Sequence, residues 1–245
     1  MTASEFTKRV IRSSLRLRRL NEKLMPTGCG SACLVNYTGK TIVLTVAHNT
    51  VDQKNWAIET KYIPSLRKTE NYQIGAMNFT VKGTLQFSGS QPIGFSQPSL
   101  IDFAYKIVTN PPTPLQQELN ANGLIKSSVE TIRLDTNLQC IPNKELEYGF
   151  YGQIKGDLSG NILKWRGRLE MGMKYLGIDR EFYLFETREK NLTDSDYEGC
   201  SGAPILDSNG ELVSLVKAVD SKGGLVRGVK LSECKAFMDI ECGNI

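Results

Sequence analysis

The chain has 245 residues, of which 40% are hydrophobic and 23% are charged, so its composition is that of an ordinary globular protein. These fractions exclude an intrinsically disordered chain and a coiled coil, and no apolar run reaches the roughly 18 residues of a membrane-spanning helix. The 22 glycines and 9 prolines indicate many turns between short strands, and the length suits one large all-β unit.

The positive charge is concentrated near the beginning of the chain. Residues 1–25 carry seven basic and two acidic side chains, whereas the net charge of the whole chain is +4, so the remainder is nearly neutral. Apolar residues recur in this segment at helical spacing, namely Phe6, Val10, Leu17, Leu20 and Leu24. This spacing predicts an amphipathic helix over residues 4–24 with a basic face. The helix either packs on the main domain or binds a regulatory or targeting partner, a nucleic acid or a membrane surface.

The expected state of the cysteines depends on the cellular compartment of the protein. Residues 1–23 lack the apolar stretch of a secretory signal, so we expect a cytoplasmic protein. The six cysteines are then expected to be free thiols, because the cytosol is reducing. Cys29 and Cys33 are close enough to suggest a metal site, but one histidine and two paired thiols make a poor zinc set. We therefore expect neither a metal nor another cofactor.

From residue 30 onward the pattern is that of short strands. In the first half, strands are expected at residues 31–37, 40–46, 55–63, 72–82 and 100–108. Residues 83–99 are polar and rich in glycine, which predicts a loop, and the proline-rich residues 109–115 mark the best internal boundary.

The second half of the sequence also has the pattern of short strands. Strands are expected at residues 129–134, 146–154, 162–172, 181–187, 203–206, 211–219 and 225–231, before a closing helix at 231–240. The predicted organisation is a basic amphipathic helix at 1–25, a first β-domain at 26–110, a linker at 111–128 and a second β-domain with its closing helix at 129–245.

His48 is the only histidine, so any reaction that needs an imidazole has to use it. It follows the apolar run 42–47, which predicts a buried strand that ends at this residue. A histidine held at the edge of a core is partly desolvated, which suits a general base. A hydrogen-bonded core histidine without chemistry is the alternative for this residue taken alone.

Ser201 is enclosed by Gly199 and Gly202, which predicts a tight turn. Such a turn can direct successive backbone N–H groups into one hollow, as the stabilisation of an oxyanion requires. Asp102 stands at the head of a mostly apolar strand, where a carboxylate needs a partner such as a histidine N–H. An ordinary turn and a solvent-facing aspartate are the alternatives, but together with His48 these residues favour a catalytic triad.

Three segments resemble the catalytic motifs of trypsin-like serine proteases. Residues 45–48 (Thr-Val-Ala-His) are similar to the Thr-Ala-Ala-His motif of that family, and residues 102–104 (Asp-Phe-Ala) to its Asp-Leu-Ala motif. Residues 199–204 (Gly-Cys-Ser-Gly-Ala-Pro) are similar to its Gly-Asp-Ser-Gly-Gly-Pro motif. Weaker similarity at 147–152 and 210–213 extends the resemblance over roughly residues 28–240, on the side of the disulfide-free bacterial and viral branch.

The resemblance implies an all-β fold of two six-stranded antiparallel β-barrels, a chymotrypsin-like double barrel, with an N-terminal basic amphipathic helix and a C-terminal helix. It also implies a serine endopeptidase in which Ser201 attacks a peptide carbonyl, His48 transfers the proton and Asp102 orients the imidazole. The backbone N–H groups of Gly199 and Ser201 would form the oxyanion hole. The partner would be a protein or peptide substrate, and a catalytically silent pseudoprotease that binds peptides is the alternative.

The sequence also departs from this family. Cys200 stands where many members have an aspartate that pairs with a newly cut N-terminus, so activation of that kind is not expected. Ser201 is favoured over Cys200 as the nucleophile because it takes the position that the nucleophile has in the Gly-x-Ser-Gly or Gly-x-Cys-Gly motif of the family. An exposed Cys200 beside the cleft would be a candidate oxidation sensor. By its place in the family pattern, Ser195 would lie at the base of the primary pocket with Asp196 and Glu198 nearby. An acidic pocket would favour substrates with Lys or Arg, which is the preference expected here, whereas a neutral serine at the base would tolerate larger apolar groups.

Overall fold

The computed structural model describes residues 1–51, 55–66, 68–83, 85–95, 99–119, 125–154, 158–159, 162–163, 166–189, 197–220 and 223–243. Most of this part of the chain forms antiparallel strands, and two α-helices lie near its two ends. The prediction of a β-rich protein with a helix near each end is confirmed. None of the helices among the described residues has the length and apolar character needed to span a membrane.

The N-terminal helix α1 spans Ala3–Ser13 and begins with a capping box. The Thr2 hydroxyl accepts a hydrogen bond from the Glu5 backbone N–H, and the Glu5 carboxylate accepts one from the Thr2 backbone N–H at 2.8 Å. Its apolar residues Phe6 and Val10 are buried in a cluster that includes second-half residues. The helix therefore packs on the main body of the protein.

The predicted helix over residues 4–24 is wrong beyond Ser13, because the next segment is strand β1 (Leu15–Leu20). Its leucines and arginines also fit a period of two, and it pairs with β2 (Pro26–Tyr37) on one side and β4 (Trp56–Ile63) on the other. Pairing with distant strands decides between the helical and the strand spacing of this segment, and that pairing cannot be inferred from the local sequence.

Several basic side chains of this segment are bonded within the chain. Arg9 Nε donates to the Gly210 carbonyl at 2.9 Å, and Arg12 Nε donates to the Glu130 carbonyl at 2.8 Å. These guanidinium groups hold α1 against the second half rather than forming a free basic face. Binding of a partner, nucleic acid or membrane by this segment stays a prediction.

Two further arginines form a buried ion network with Glu59 on β4. Arg16 Nη1 and Arg18 Nε each donate to the Glu59 carboxylate at 2.8 Å, and the side chains of Arg18 and Glu59 are only 2% and 5% exposed. Burial opposes ionisation of the carboxyl group, but the charges and hydrogen bonds of Arg18 and Arg16 outweigh it and hold the pKa of Glu59 below its ordinary value.

Replacement of Glu59 by Gln is expected to lower the free energy of unfolding by about 2 kcal/mol at neutral pH, because the three charge-assisted hydrogen bonds from Arg16 Nη1, Arg18 Nε and Arg18 Nη2 weaken in a buried site. A carboxylate with a lowered folded-state pKa stabilises fully above its unfolded pKa of about 4.3 and loses that contribution as the pH falls further. Urea unfolding should therefore show a wild-type advantage that narrows below about pH 4. Glu70→Gln, at an exposed site on the neighbouring strand, is the control. An equal loss of stability in Glu70→Gln, or a difference between wild type and Glu59→Gln that does not change with pH, would contradict a stabilising role for the ionised Glu59.

The first half forms an eight-stranded sheet in the order β5-β4-β1-β2-β3-β9-β6, with β12 pairing to β2. Its other strands are β3 (Lys40–Thr45), β5 (Lys68–Gly75), β6 (Asn78–Lys82), β9 (Ser99–Val108) and β12 (Leu134–Asp135). The predicted six-stranded barrel is therefore not what the described residues show here, since the sheet has eight strands and they do not close it. The additional strands come from elsewhere: β1 from the segment expected to be helical and β12 from beyond the proline-rich boundary.

In the described part of the chain, three short hairpins lie outside the eight-stranded sheet and the barrel described below. They pair β7 (Leu85–Ser88) with β8 (Gln91–Phe95), β10 (Leu115–Leu119) with β11 (Ile125–Glu130), and β14 (Leu158–Ser159) with β15 (Ile162–Leu163). The first occupies the predicted loop 83–99, and the second occupies the predicted linker 111–128. The strands of the second hairpin lack apolar alternation, whereas those of the first have it in short form at Leu85, Phe87, Ile93 and Phe95, between the glycine, serine, glutamine and proline residues that led to the prediction of a loop.

The second half contains a closed barrel of six strands in the order β13-β16-β17-β20-β19-β18. Its strands and the helix that follows are β13 (Glu147–Ile154), β16 (Arg166–Asp179), β17 (Phe182–Glu186), β18 (Pro204–Asp207), β19 (Leu212–Asp220), β20 (Leu225–Lys230) and α2 (Lys235–Cys242). The six-stranded barrel and the closing helix predicted for this half are confirmed.

Each half has its own buried core, and a third apolar cluster joins them. This joining cluster takes Phe6 and Val10 from α1, Phe103 from β9, Leu215 from β19 and Met238 from α2, among others. The halves therefore share one continuous apolar contact, which fixes the place where they meet.

Candidate active site

His48 lies at the end of β3, in a short 3₁₀ turn over Ala47–Asn49. Strand β3 is buried and pairs antiparallel with β9, with Thr45 opposite Ala104. This register brings the end of β3 beside the early part of β9, where Asp102 lies. Two segments that are distant in sequence therefore meet because their apolar strands pair in one sheet.

The Asp102 carboxylate accepts two kinds of hydrogen bond from His48. The backbone N–H of His48 donates to it at 2.9 Å, and the ring nitrogen Nδ1 lies 2.8 and 3.0 Å from its two oxygens. Since the carboxylate only accepts, a neutral imidazole has its proton on Nδ1 and leaves Nε2 as a proton acceptor. The His48 side chain is 44% exposed and that of Asp102 is 11% exposed, so the imidazole is open to solvent while the carboxylate that holds it is sheltered.

The ionisation of Asp102 reflects opposing effects. Burial favours the neutral acid, but the hydrogen bonds from the His48 ring and backbone, with the positive charges of His48 and Lys217, prevail. They hold the pKa of Asp102 below its ordinary value, so this carboxylate is ionised at neutral pH. An ionised Asp102 can orient the imidazole and stabilise its protonated form.

Ser201 lies in a turn that is bonded to the first half. Its carbonyl accepts hydrogen bonds from the Ser31 N–H and from Asn49 Nδ2, both at 3.2 Å. Ser31 Oγ donates to the Gly199 carbonyl at 2.8 Å and accepts from the Gln153 N–H at 2.8 Å. Because Asn49 adjoins His48, these bonds place the Ser201 turn beside the histidine.

The turn leaves no space for a side chain at Gly202. This residue has a φ of +89°, and a Cβ atom there would lie 2.1 Å from the Ser31 carbonyl oxygen and 2.2 Å from Thr45 Oγ1. Thr45 Oγ1 itself donates to that same Ser31 carbonyl at 2.7 Å. The glycine allows the two halves to touch directly behind Ser201.

The Ser201 hydroxyl donates to the Lys217 carbonyl at 3.0 Å. Its direction in this structure is therefore toward β19 and not toward the His48 ring. Within the described part of the chain, the backbone N–H groups of Gly199 and Ser201 have no hydrogen-bond acceptor. Gly199 has a φ of +103°, a conformation that suits glycine.

Cys200 is completely buried, and burial raises the pKa of its thiol to about 12. Its Sγ and backbone pack against Gly152, where an added Cβ would meet them at 2.7–2.8 Å. A protonated, inaccessible thiol is neither a nucleophile nor an oxidation sensor. The suggestion that Cys200 senses oxidation is therefore wrong, because the residue points into the barrel core.

The predicted substrate pocket is only partly described. Ser195 and Asp196 lie outside the described residues, and Glu198 is exposed near the Ser201 turn. The preference for Lys or Arg stays a prediction. Among the described residues no group of three or more metal-ligating side chains comes together.

Sequence reasoning missed three residues that contact the site. Ser31 and Asn49 form hydrogen bonds with the Ser201 turn, and the Lys217 carbonyl accepts a hydrogen bond from the Ser201 hydroxyl. The position of Asn49 directly after His48 was a signal that could have placed it at the site. Ser31 and Lys217 have no local pattern, since their contacts depend on how the halves meet.

Comparisons with known proteins bear on the fold. No protein-family model matches the sequence, and no curated protein matches it. Among solved structures, the serine endoprotease from Yersinia pestis matches over 100% of this chain and 68% of its own, with a TM-score of 0.53 and 12% sequence identity.

The fold of this chain is chymotrypsin-like. At 12% identity the likeness concerns the fold and not the chemistry. The chymotrypsin-like architecture expected from the motifs is thus supported, while the roles of individual residues rest on the geometry of the site.

Proposed function

We propose that the chain is a serine endopeptidase that uses Ser201, His48 and Asp102. The observation that carries the proposal is the paired hydrogen bonding of Asp102 to both the backbone and the ring of His48. A carboxylate that fixes ring position and tautomer in this way is what general-base catalysis requires. The Ser201 turn, bonded to the residue next to His48, supplies the nucleophile from the other half.

The first step is a rotation of the Ser201 side chain from the Lys217 carbonyl to His48 Nε2. His48 then accepts the hydroxyl proton as Oγ bonds to the peptide carbonyl carbon, giving a tetrahedral oxyanion. The imidazolium gives the proton to the amine nitrogen as the C–N bond of the tetrahedral intermediate breaks, which releases the amine and leaves an acyl-enzyme. Water, deprotonated by His48, then attacks the ester carbonyl, and the second tetrahedral intermediate breaks its C–Oγ bond as His48 returns the proton to Ser201 Oγ, which releases the acid.

The oxyanion is stabilised by the backbone N–H groups of Gly199 and Ser201. Both are without an acceptor in the described residues, so their hydrogen-bonding capacity is available to a substrate oxygen. The buried Cys200 between them anchors the turn to the barrel. A rigid turn holds the donors in place before the charge develops.

The finer features follow within the same proposal. The substrate is a protein or peptide, and Ser195, Asp196 and Glu198 favour Lys or Arg at the cleavage site. The enzyme acts in the cytoplasm and resembles the disulfide-free bacterial and viral branch of trypsin-like proteases.

A second candidate is a peptide-binding module without turnover. The hydrogen bond from the Ser201 hydroxyl to the Lys217 carbonyl favours it, since this direction leaves the nucleophile away from His48. The two candidates differ in whether Ser201 can react.

Incubation of the purified protein with a fluorophosphonate probe distinguishes them. We expect labelling at Ser201, located by peptide mass spectrometry, and loss of labelling in Ser201→Ala and His48→Ala. Ser208→Ala, a serine in the turn after β18, serves as the control and should label as wild type does. Folded wild type without label would favour the binding module, and a label that persists in Ser201→Ala would exclude Ser201 as nucleophile.

A further inference from the structure

Tyr197 begins the turn that carries Ser201. Its carbonyl accepts a hydrogen bond from the Cys200 N–H at 2.9 Å, and the Cys200 carbonyl accepts one from the Ala203 N–H at 2.9 Å. The Tyr197 ring is buried in the core of the second half, where it packs against Phe150 with 6.4 Å between the ring centroids. This residue therefore joins the Ser201 turn to the core of the barrel.

The Tyr197 hydroxyl is bonded to a largely buried ion pair on β16. It donates to Glu170 Oε2 at 2.8 Å, and the Glu170 side chain is only 3% exposed. Arg168 Nη2 donates to the same oxygen at 3.1 Å, and its guanidinium group lies over the Tyr197 ring, 5.3 Å from the centroid. Burial and the neighbouring Glu170 carboxylate raise the pKa of Tyr197, so the hydroxyl keeps the proton that it donates.

Strand pairing places this ion pair beside the Ser201 turn. In the register of β13 with β16, Gly152 lies opposite Arg168. Cys200 packs on Gly152 so closely that a Cβ atom added there would lie 2.7–2.8 Å from it. The Arg168–Glu170 pair is therefore one strand away from a close packing contact of the turn.

Arg168 also binds a second part of the chain near the turn. Its Nη2 donates to Glu189 Oε2 at 2.8 Å, and the Glu189 carbonyl accepts the Thr187 hydroxyl at 2.8 Å. Glu189 precedes residues 190–196 in the sequence, and Tyr197 follows them. The ion pair on β16 therefore binds the chain on both sides of this segment, which fixes where the chain enters the Ser201 turn.

We propose that Tyr197 is a positioning residue for the oxyanion hole. Its hydrogen bond to the Arg168–Glu170 pair fixes the Ser201 turn from the barrel side, and thereby fixes the direction of the two backbone N–H groups that the turn presents. A hydrogen bond to a carboxylate is roughly twice as strong as one between neutral groups, so its loss should loosen the turn. The proposal rests on the proposed function for its meaning in catalysis, whereas the rigidity of the turn can be measured without any reaction.

Amide hydrogen exchange followed by NMR tests the rigidity of the turn. Tyr197→Phe removes the hydroxyl but keeps the buried ring. The N–H groups of Cys200 and Ala203, which are bonded within the turn, should then exchange about tenfold faster, because one charge-assisted hydrogen bond no longer opposes local opening. Amides in the pairing of β17 with β20 should exchange as they do in wild type.

Two further variants make the experiment specific. Glu170→Gln replaces the charged acceptor by a neutral one and should accelerate exchange at the same amides. Tyr183→Phe is the matched control, because Tyr183 is also buried in the core of the second half and its hydroxyl is hydrogen-bonded to Ser232 instead. This variant should leave exchange in the turn unchanged.

If the protein reacts with the fluorophosphonate probe, the kinetics of labelling test the catalytic meaning of the turn's rigidity. Tyr197→Phe should lower the maximal labelling rate about tenfold and leave the probe concentration for half-maximal rate unchanged, because oxyanion donors act in the transition state. A change confined to that probe concentration would overturn the role of Tyr197 in the oxyanion hole.

Exchange and labelling together separate this inference from the proposed function. Unchanged exchange of the turn in both folded variants, Tyr197→Phe and Glu170→Gln, would overturn the inference whether or not the protein labels. An equal acceleration in Tyr183→Phe, or throughout the barrel, would do the same, since it would show a loss of overall stability alone. Local acceleration in a protein that does not label would support the positioning of the turn while the endopeptidase proposal failed.

Discussion

Replacement of Asp102 by Asn is expected to lower kcat for peptide hydrolysis by about 10⁴-fold while leaving the fold intact. Asp102 accepts from both the backbone N–H and Nδ1 of His48. An asparagine can keep the first bond, but its amide can donate to Nδ1 and so hold the proton on Nε2. In that tautomer His48 cannot accept the Ser201 proton.

The measurement is hydrolysis of a fluorogenic peptide library, with the rate of fluorophosphonate labelling as a second reading. Asp179→Asn, which weakens an exposed pair with Arg227 on the six-stranded barrel, is the control and should retain activity. Activity of Asp102→Asn within tenfold of wild type would show that Asp102 does not set the tautomer.

Replacement of Gly202 by Ala is expected to destabilise the protein by about 3 kcal/mol, from left-handed backbone strain and overpacking together. The added methyl group would meet the Ser31 carbonyl and Thr45 Oγ1, both of which belong to the contact between the halves. Labelling of Ser201 should fall as well, because the turn moves when this contact opens.

A matched glycine separates the two causes. Gly39 has a φ of +80°, close to that of Gly202, but an added Cβ there meets nothing within 4 Å. Gly39→Ala should therefore lower the free energy of unfolding only by the cost of the left-handed backbone, about 1 kcal/mol. Urea unfolding of the two variants gives the comparison, and equal losses would mean that the close contact at Gly202 contributes nothing.

The sequence predicts the parts of the fold whose determinants are local. The strand ending at His48 and the hairpin after Ser201 have clear apolar runs and turn residues, and the structure has them as β3 and as β18 with β19. The meeting of His48 with Asp102 was also predictable, because both residues adjoin apolar strands that need partners.

The parts that local patterns did not predict depend on distant contacts. Residues 15–20 satisfy either a helical or a strand spacing, and pairing with β2 and β4 selects the strand. The Glu59 network and the contacts of Lys217 join residues that are far apart in sequence, so no motif contains them. Cys200 shows the same limit, since its inward direction follows from packing on Gly152.

The two ends of the chain each reach across to the opposite half. Helix α1, which precedes the eight-stranded sheet, is bonded to the six-stranded barrel of the second half through Arg9 and Gly210. Helix α2, which follows that barrel, is bonded to the first sheet through Tyr37 and Asp239, at 2.5 Å, and through Lys40 and the Glu241 carbonyl. Separation of the two halves would therefore break contacts made by both helices, so deletion of α1 or α2 is a way to alter the spacing of His48 and Ser201 without changing either residue.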